Sequence, residues 1–355
     1  LDIEEGVGEG ARLMRVAMYY NNRDVRIEQM EVPRIGPGEL LVKVWASGIC
    51  GSDVLEWYRL AKAPIVLGHE IAGEIAEVGD AVQKWKRGDR VFVSHHVPCN
   101  MCRYCGEGHE SCCDTLASTN FYPGGFAEYL RVPEINVRNG VYALPESMSY
   151  EQAVFIEPLA CVFRGQRHAG WRPGRRLLVM GCGISGIMHI QLARTAGASW
   201  IVAVDINPQR IDSSLKFGAD VALRAGKDLI DRLKEVNDGR LADLVIVATG
   251  AVSAIKQAFD AVDRGGTILF FAPSDPGAVV EMPFNELWRK EVTITSSYAG
   301  SPRDINAVIE LISSGRIDVT SLITHRLPLD KTQEGFRLVA EAGGKSMKVV
   351  IEPQR

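Results

Sequence analysis

From Met14 to about residue 150, apolar and polar residues alternate in short runs broken by turn residues. Residues 15–20, 40–45 and 71–78 are predicted strands, the last running into Gly79-Asp80. Gly88-Asp89 is a predicted turn into a further strand ending at Val93. Many short strands with few helical periods predict a compact β-rich barrel. Near residue 150 the pattern changes. Residues 151–167 and 184–196 carry helical periodicity, whereas 176–180, 200–204, 244–248 and 267–271 are short continuous apolar runs. Such runs alternating with helices predict a parallel sheet covered on both faces. From Pro302 the mixed style returns, with a helix at 305–313 and a strand at 348–351. The predicted order is barrel, α/β domain, then a return to the barrel. Residues 1–13 are rich in Gly and Glu and precede the periodic pattern. They are read as an N-terminal extension or a cloning remnant.

Composition narrows the class without changing this outline. A chain of 355 residues is long enough for two domains with real cores. Its 46% hydrophobic and 24% charged residues are ordinary for a soluble globular protein. A net charge of −4 and the lack of a basic run predict no nucleic-acid partner. No apolar stretch reaches the roughly 18–20 residues of a membrane span. The acidic start, Leu1-Asp2-Ile3-Glu4-Glu5, does not have a signal-peptide pattern.

The strongest chemical signal is Cys99, Cys102, Cys105 and Cys113, spaced C-x2-C-x2-C-x7-C in a chain with only 8 cysteines. Two-residue gaps let a tight turn aim successive thiolates at one centre, and the short lobe that follows closes a tetrahedron suited to Zn²⁺. Disulfide pairing or chance clustering is the alternative. Thiolate-rich metal binding predicts a reducing, cytoplasmic setting. Of the remaining cysteines, Cys161 and Cys182 are read as small buried hydrophobes.

Gly181-Cys182-Gly183-Ile184-Ser185-Gly186 follows a predicted strand and opens a predicted helix. The glycines would let the backbone approach a pyrophosphate, and the helix N-terminus would supply free N–H donors. Asp205 ends the next apolar run, close to the spacing of a ribose-binding acid. Its charge would also disfavour a 2′-phosphate, so NAD is expected over NADP. Arg210 is the residue that would offset this. An ordinary solvated strand-end acid is the other reading of Asp205.

Cys50, His69, Glu70 and Glu157 are dispersed along the chain. Singly, each has an ordinary explanation: a core cysteine, a satisfied histidine, a helix-end acid. Together they make a mixed S, N and O donor set suited to Zn²⁺ with one open position.

These segments, with Gly48–Asp53, Gly68-His69-Glu70, Gly88-Asp89-Arg90-Val91 and Gly124–Tyr129, resemble the zinc-dependent medium-chain dehydrogenases over about residues 14–353. The similarity is greatest to the sorbitol, threonine and secondary-alcohol branch. The resemblance implies a GroES-like β-barrel catalytic domain at 14–157 and 301–355, and a Rossmann NAD domain at 158–300. It implies two Zn²⁺ per chain. Cys50 and His69 would hold the catalytic one, with Glu157 as third ligand and Glu70 exchanging with it. Cys99, Cys102, Cys105 and Cys113 would hold the structural one. Ser52 would hydrogen-bond the alcohol.

The expected reaction is reversible, NAD-dependent oxidation of a secondary alcohol or polyol. An amino alcohol such as threonine, or a non-catalytic nucleotide-binding role, is the rival reading. A dimer or tetramer is expected, covering a sheet edge at 267–271.

One position departs from the family pattern. Leu55 stands where related enzymes often carry a proton-relaying histidine. The cofactor ribose and water, ending at Glu56, are the expected substitute. Trp57, Tyr58, Phe121, Tyr122 and Tyr298 are candidates either for the pocket wall or for the core. His95 is expected to reach the cleft, and His96 to be a surface or packing residue.

Overall fold

The computed structural model describes residues 12–341 and 346–355. Residues 1–11 of the predicted extension lie outside them, and β1 (Leu13–Asn21) already begins at Leu13. β1 pairs antiparallel with β2 (Asp24–Glu31) and β4 (Ile65–Val66). A larger sheet runs β15 (Ile323–Pro328), β16 (Lys348–Glu352), β3 (Leu40–Gly48), β5 (Glu70–Val78), β6 (Arg90–Val93), β8 (Val141–Ala143). β7 (Tyr129–Val132) also pairs with β3. The period-2 pattern explains the two faces of this sheet. Val42, Val44, Ile71, Ile75, Val91 and Val93 enter one apolar cluster, whereas Ala72 and Phe92 on the opposite face pack into another, which Ala46 joins after a register shift between Val44 and Ala46.

The α/β half is a six-stranded parallel sheet in the order β11 (Val221–Arg224), β10 (Trp200–Asp205), β9 (Arg176–Met180), β12 (Ala242–Val247), β13 (Val262–Phe270), β14 (Thr293–Ser296). Leu177, Val179, Ile201, Ala203, Leu244 and Ile246 pack on one face. Leu178, Met180, Val202, Val204, Val245 and Val247 pack on the other. Burial on both sides is why these runs are continuously apolar. Strand order reverses between β9 and β12, the crevice where open α/β sheets bind ligands.

Two expectations are corrected. The run 267–271 is not the sheet edge, because β14 pairs alongside β13. The Thr-Ile-Thr-Ser sequence of β14 is short and polar enough to escape a hydrophobicity pattern. The helix expected over 151–167 is broken into Tyr150–Ala153 and Ile156–His168. Pro158 has no N–H and is tolerated in a helix only in the first turn, so the second helix restarts just ahead of it. The restart puts Glu157 in that first turn. No helix among the described residues is long and apolar enough to cross a membrane.

The helix Pro302–Ser313 packs on Ile156–His168. Buried Asp304 joins them, accepting from Arg167 Nε at 3.0 Å and Nη2 at 3.3 Å. It also caps its own helix through Ser301 N at 3.0 Å and Oγ at 2.6 Å. Replacing Asp304 by Ala leaves Arg167 without its counter-charge. Arg167 is partly exposed and can be solvated, so the expected cost is about 1–3 kcal/mol, read as a lowered urea unfolding midpoint.

Candidate active site

Cys50 lies just past the end of β3, and His69 just before β5. These strands are antiparallel neighbours in a register that sets Gly48 opposite Glu70. The topology therefore gathers Cys50, His69 and Glu70, whose ligand atoms lie within 4.8 Å of one another.

The carboxylate of Asp53 organises this cluster. Asp53 is fully buried. Its Oδ2 accepts from the Cys50 N–H at 3.0 Å, and its Oδ1 lies 3.2 Å from Arg59 Nη2 and 3.3 Å from His69 Nδ1. Burial alone would raise the carboxyl pKa, but His69 and Arg59 together with the Cys50 N–H hold it below the ordinary value. Arg59 also donates from Nε to the Ser52 carbonyl at 3.0 Å and from Nη2 to Ser52 Oγ at 3.1 Å.

Glu70 is buried beneath Cys50 and pairs with Lys348 of β16, itself buried. Burial works against the charged ammonium, yet Glu70 and Cys50 raise the Lys348 pKa overall. Glu70 Oε1 is left buried with no hydrogen-bond partner. An orphaned carboxylate oxygen beside a thiol and an imidazole is a donor set that fits Zn²⁺. Glu157 stands outside the three-donor group but in the same cleft, its pKa raised chiefly by burial. Cys161, expected to be a plain buried hydrophobe, is only half-buried. It lines the cleft and donates to Glu157 Oε1 at 3.6 Å. Cys182 is fully buried, as expected.

The cleft is a cavity of about 840 Å³. Its lining takes Cys50, Ser52, Leu55, His69 and Glu157 from the barrel side and Ser185, Phe271 and Tyr298 from the α/β side. Trp57, Tyr58 and Tyr298 are wall residues. Phe121 is core, 3% exposed, and Tyr122 lies outside the lining at 48% exposed. His95 reaches the cleft as expected. His96 lines it too, against expectation, because the turn after β6 aims both rings the same way. Glu56 does not line the cavity, and its carboxylate accepts instead from the Asn22 N–H at 3.2 Å. The charged group that does touch Ser52 is Arg59.

The four lobe cysteines also hold their sulfurs within 4.8 Å of one another. None is in a disulfide; Cys102 and Cys105 sulfurs are 3.5 Å apart. Asn100 at φ 61° makes the tight turn, and the N–H of Cys102 points at Cys99 Sγ at 3.3 Å. The Cys99 N–H points at Cys113 Sγ at 3.4 Å. Although burial opposes it, N–H groups including that of Cys99 draw the Cys113 thiol down to about 6. These sulfurs fit a tetrahedral thiolate metal site. Buried Arg164 ties the lobe to the helix Ile156–His168 through Glu110, the Gly108 carbonyl and Ser111.

In the glycine-rich turn, Gly181 has φ 96°, and a Cβ on Gly186 would meet the Gly181 carbonyl at 1.9 Å. A Cβ on Gly183 would meet nothing within 4 Å, leaving room for a ligand. Gly183 caps the helix Ile184–Thr195 without a side-chain bond, so its first N–H groups remain free. Asp205 accepts the Cys182 N–H at 2.7 Å and the Asn207 N–H at 2.8 Å, which fixes it at the crevice. Arg210 follows on the helix Pro208–Lys216, its Nε buried without a partner. The arrangement fits a dinucleotide.

A GroES-like barrel joined to a Rossmann-type sheet, with a mixed donor set in the cleft and a separate thiolate cluster, defines the zinc-dependent alcohol dehydrogenase class. Residues 36–146 match the family model of the alcohol dehydrogenase GroES-like domain, and residues 185–314 match that of the zinc-binding dehydrogenases. The sorbitol dehydrogenase of Bacillus subtilis (strain 168) is 32% identical, over 96% of this chain and 98% of its own length. The L-threonine 3-dehydrogenase of Rhizobium etli (strain CIAT 652) is 32% identical over 92% and 94%. Among solved structures, a zinc-binding dehydrogenase from Sinorhizobium meliloti 1021 bound to NADP has a TM-score of 0.86 at 26% identity, covering 96% of this chain and 100% of that one. An alcohol dehydrogenase from E. coli CFT073 complexed with NADH has a TM-score of 0.86 at 28% identity, covering 97% and 100%. The chain belongs to the zinc-dependent medium-chain dehydrogenase family.

Proposed function

We propose that the chain is a zinc- and NAD-dependent dehydrogenase that oxidises a secondary alcohol or polyol to the ketone and catalyses the reverse reduction. One observation carries this: Cys50, His69, Glu157, Ser52 and the glycine-turn residue Ser185 all line a single cavity. In this reading residues 14–157 and 301–355 form the catalytic unit, and residues 158–300 bind the dinucleotide. Cys50 and His69 hold the catalytic Zn²⁺ with Glu157, and Glu70 exchanges with Glu157. Cys99, Cys102, Cys105 and Cys113 hold the structural ion. Gly181, Gly183, Ile184, Ser185 and Gly186 cradle the pyrophosphate, and Asp205 takes a ribose hydroxyl. The thiolate sites suit the reducing cytoplasm.

When bound, Zn²⁺ supplies Lewis-acid polarisation of the substrate oxygen, and the nicotinamide supplies the hydride acceptor. Ser52 takes the alcohol's proton. Its Oγ already accepts from Arg59, which leaves its own hydrogen and a lone pair for the substrate side and an outgoing partner. Asp53 holds the His69 ring and the Arg59 guanidinium so that both keep their aim. Leu55 and Phe271 make part of the wall apolar and limit water. Glu56, turned to Asn22 and outside the lining, does not carry the proton onward from Ser52.

Elemental analysis of the purified protein is expected to give two zinc ions per chain. Cys50→Ser should keep one zinc and a near-normal fold but lose nicotinamide reduction on a secondary-alcohol and polyol panel. Cys102→Ser should lose the other zinc and destabilise the lobe. One or no zinc in wild type defeats this assignment.

Cofactor choice is checked by kcat/KM for NAD and NADP. Wild type should prefer NAD. Asp205→Ser should move the ratio toward NADP at least tenfold, about 1.4 kcal/mol. Equal use of both by wild type would mean that Arg210 outweighs Asp205.

A homo-oligomer is proposed as well. β14 is the last strand of its sheet among the described residues, and Ile294 on it is 39% exposed; Phe284 and Trp288, on the short helix Phe284–Arg289 that precedes it in the chain, are 67% and 69% exposed. Sedimentation velocity at micromolar concentration should show a dimer or tetramer, and a monomer throughout would refute it.

A further inference from the structure

The lip of the cleft carries a positive charge that the reaction as described does not use. Apart from Cys50, His69 and Glu157, the ionised side chains of the lining are Asp53, Arg59 and Lys62. Asp53 is fully engaged by Arg59, His69 and the Cys50 N–H. Arg59 is spent on Asp53 and Ser52. Lys62 takes part in no ion pair among the described residues. Its Nζ rests 5.2 Å from the centroid of the Tyr58 ring, which also carries Arg59 Cζ at 4.5 Å. Tyr58 thus holds two cations at one lip of the cavity.

Two other polar groups of the same lining are a donor and a neutral ring. Asn120 Oδ1 already accepts from the Phe121 N–H at 2.9 Å, which leaves its amide NH₂ for the cavity it lines. Burial, and then the charges of His69, Lys62 and Arg59, push the His96 imidazole down to about 4, so it is a neutral ring at working pH. No carboxylate of the lining is free to answer Lys62. An exposed ammonium is inexpensive while it is solvated and becomes an attraction when an anion enters.

Resting on the dehydrogenase reading, we propose that the alcohol substrate carries an anionic group, a carboxylate or a phosphate, bound at the lip by Lys62 and Asn120 while its reacting carbon lies at Ser52. A neutral polyol would use only the inner half of such a site.

Three probes share a carbon skeleton: D-sorbitol, D-gluconate and D-sorbitol 6-phosphate. With NAD and the zinc-loaded enzyme, kcat/KM for at least one anion should exceed that for sorbitol tenfold or more. The advantage should shrink as potassium chloride is raised. Which anion wins separates carboxylate from phosphate. The anion-to-sorbitol ratio should fall at least tenfold in Lys62→Gln and be kept in Lys62→Arg.

Isothermal titration of the NADH-loaded holoenzyme with each probe reads binding apart from turnover. Lys62-dependent binding of an anion without oxidation of any alcohol supports the anion site and overturns the dehydrogenase reading. Oxidation of sorbitol as well as or better than both anions, or no binding of either anion, overturns the anion site. Sorbitol turnover in that case leaves the dehydrogenase reading standing.

Discussion

The cleft depends on one buried carboxylate. Asp53 fixes the turn after β3 through the Cys50 N–H, the His69 ring through Nδ1, and the Arg59 guanidinium, which in turn grips both the carbonyl and hydroxyl of Ser52. A buried charge is tolerable only when its partners satisfy it, and here the partners are the reacting groups themselves. With Nδ1 committed to Asp53, the Nε2 of His69 is the ring's remaining ligand atom. Position, tautomer and proton path therefore share one cause.

The helix Ile156–His168 does comparable work at longer range. Glu157, Cys161 and Arg164 are spaced by four and three residues, so they follow one face of the helix. The first two meet the cleft, and Arg164 enters the cysteine lobe. Arg167, three positions on, reaches Asp304. A single rigid element thus links the mixed donor set, the thiolate cluster and the helix Pro302–Ser313. Pro158 determines where that element begins.

Much of this was readable before any coordinates. Both faces of the parallel sheet are packed, so its strands announce themselves as continuous apolar runs. The cysteine spacing and the Gly181–Gly186 turn name their chemistry because close approach leaves few residue types to choose from. What escaped has a common physical character. Lys348 lies in a strand that reads as Lys-Val-Val-Ile, and only the pairing of β16 with β3 turns its side chain beneath Cys50. Arg59 and Cys161 look like ordinary helix residues until the neighbours they meet are known. Phe121 and Tyr298 are alike on paper, yet one is core and the other lines the cleft, because the deciding contacts come from distant segments. Thr293–Ser296 hides its strand because its polar residues are largely exposed.

The pairing of Glu70 with Lys348 joins positions 278 residues apart in the chain. Cys50, His69 and Glu70 are made well before the ammonium that makes burial of Glu70 tolerable. A nascent barrel that lacks β16 has an unneutralised carboxylate under its metal donors and an open flank on β3. The donor set is therefore complete only once β16 has been made and has paired with β3.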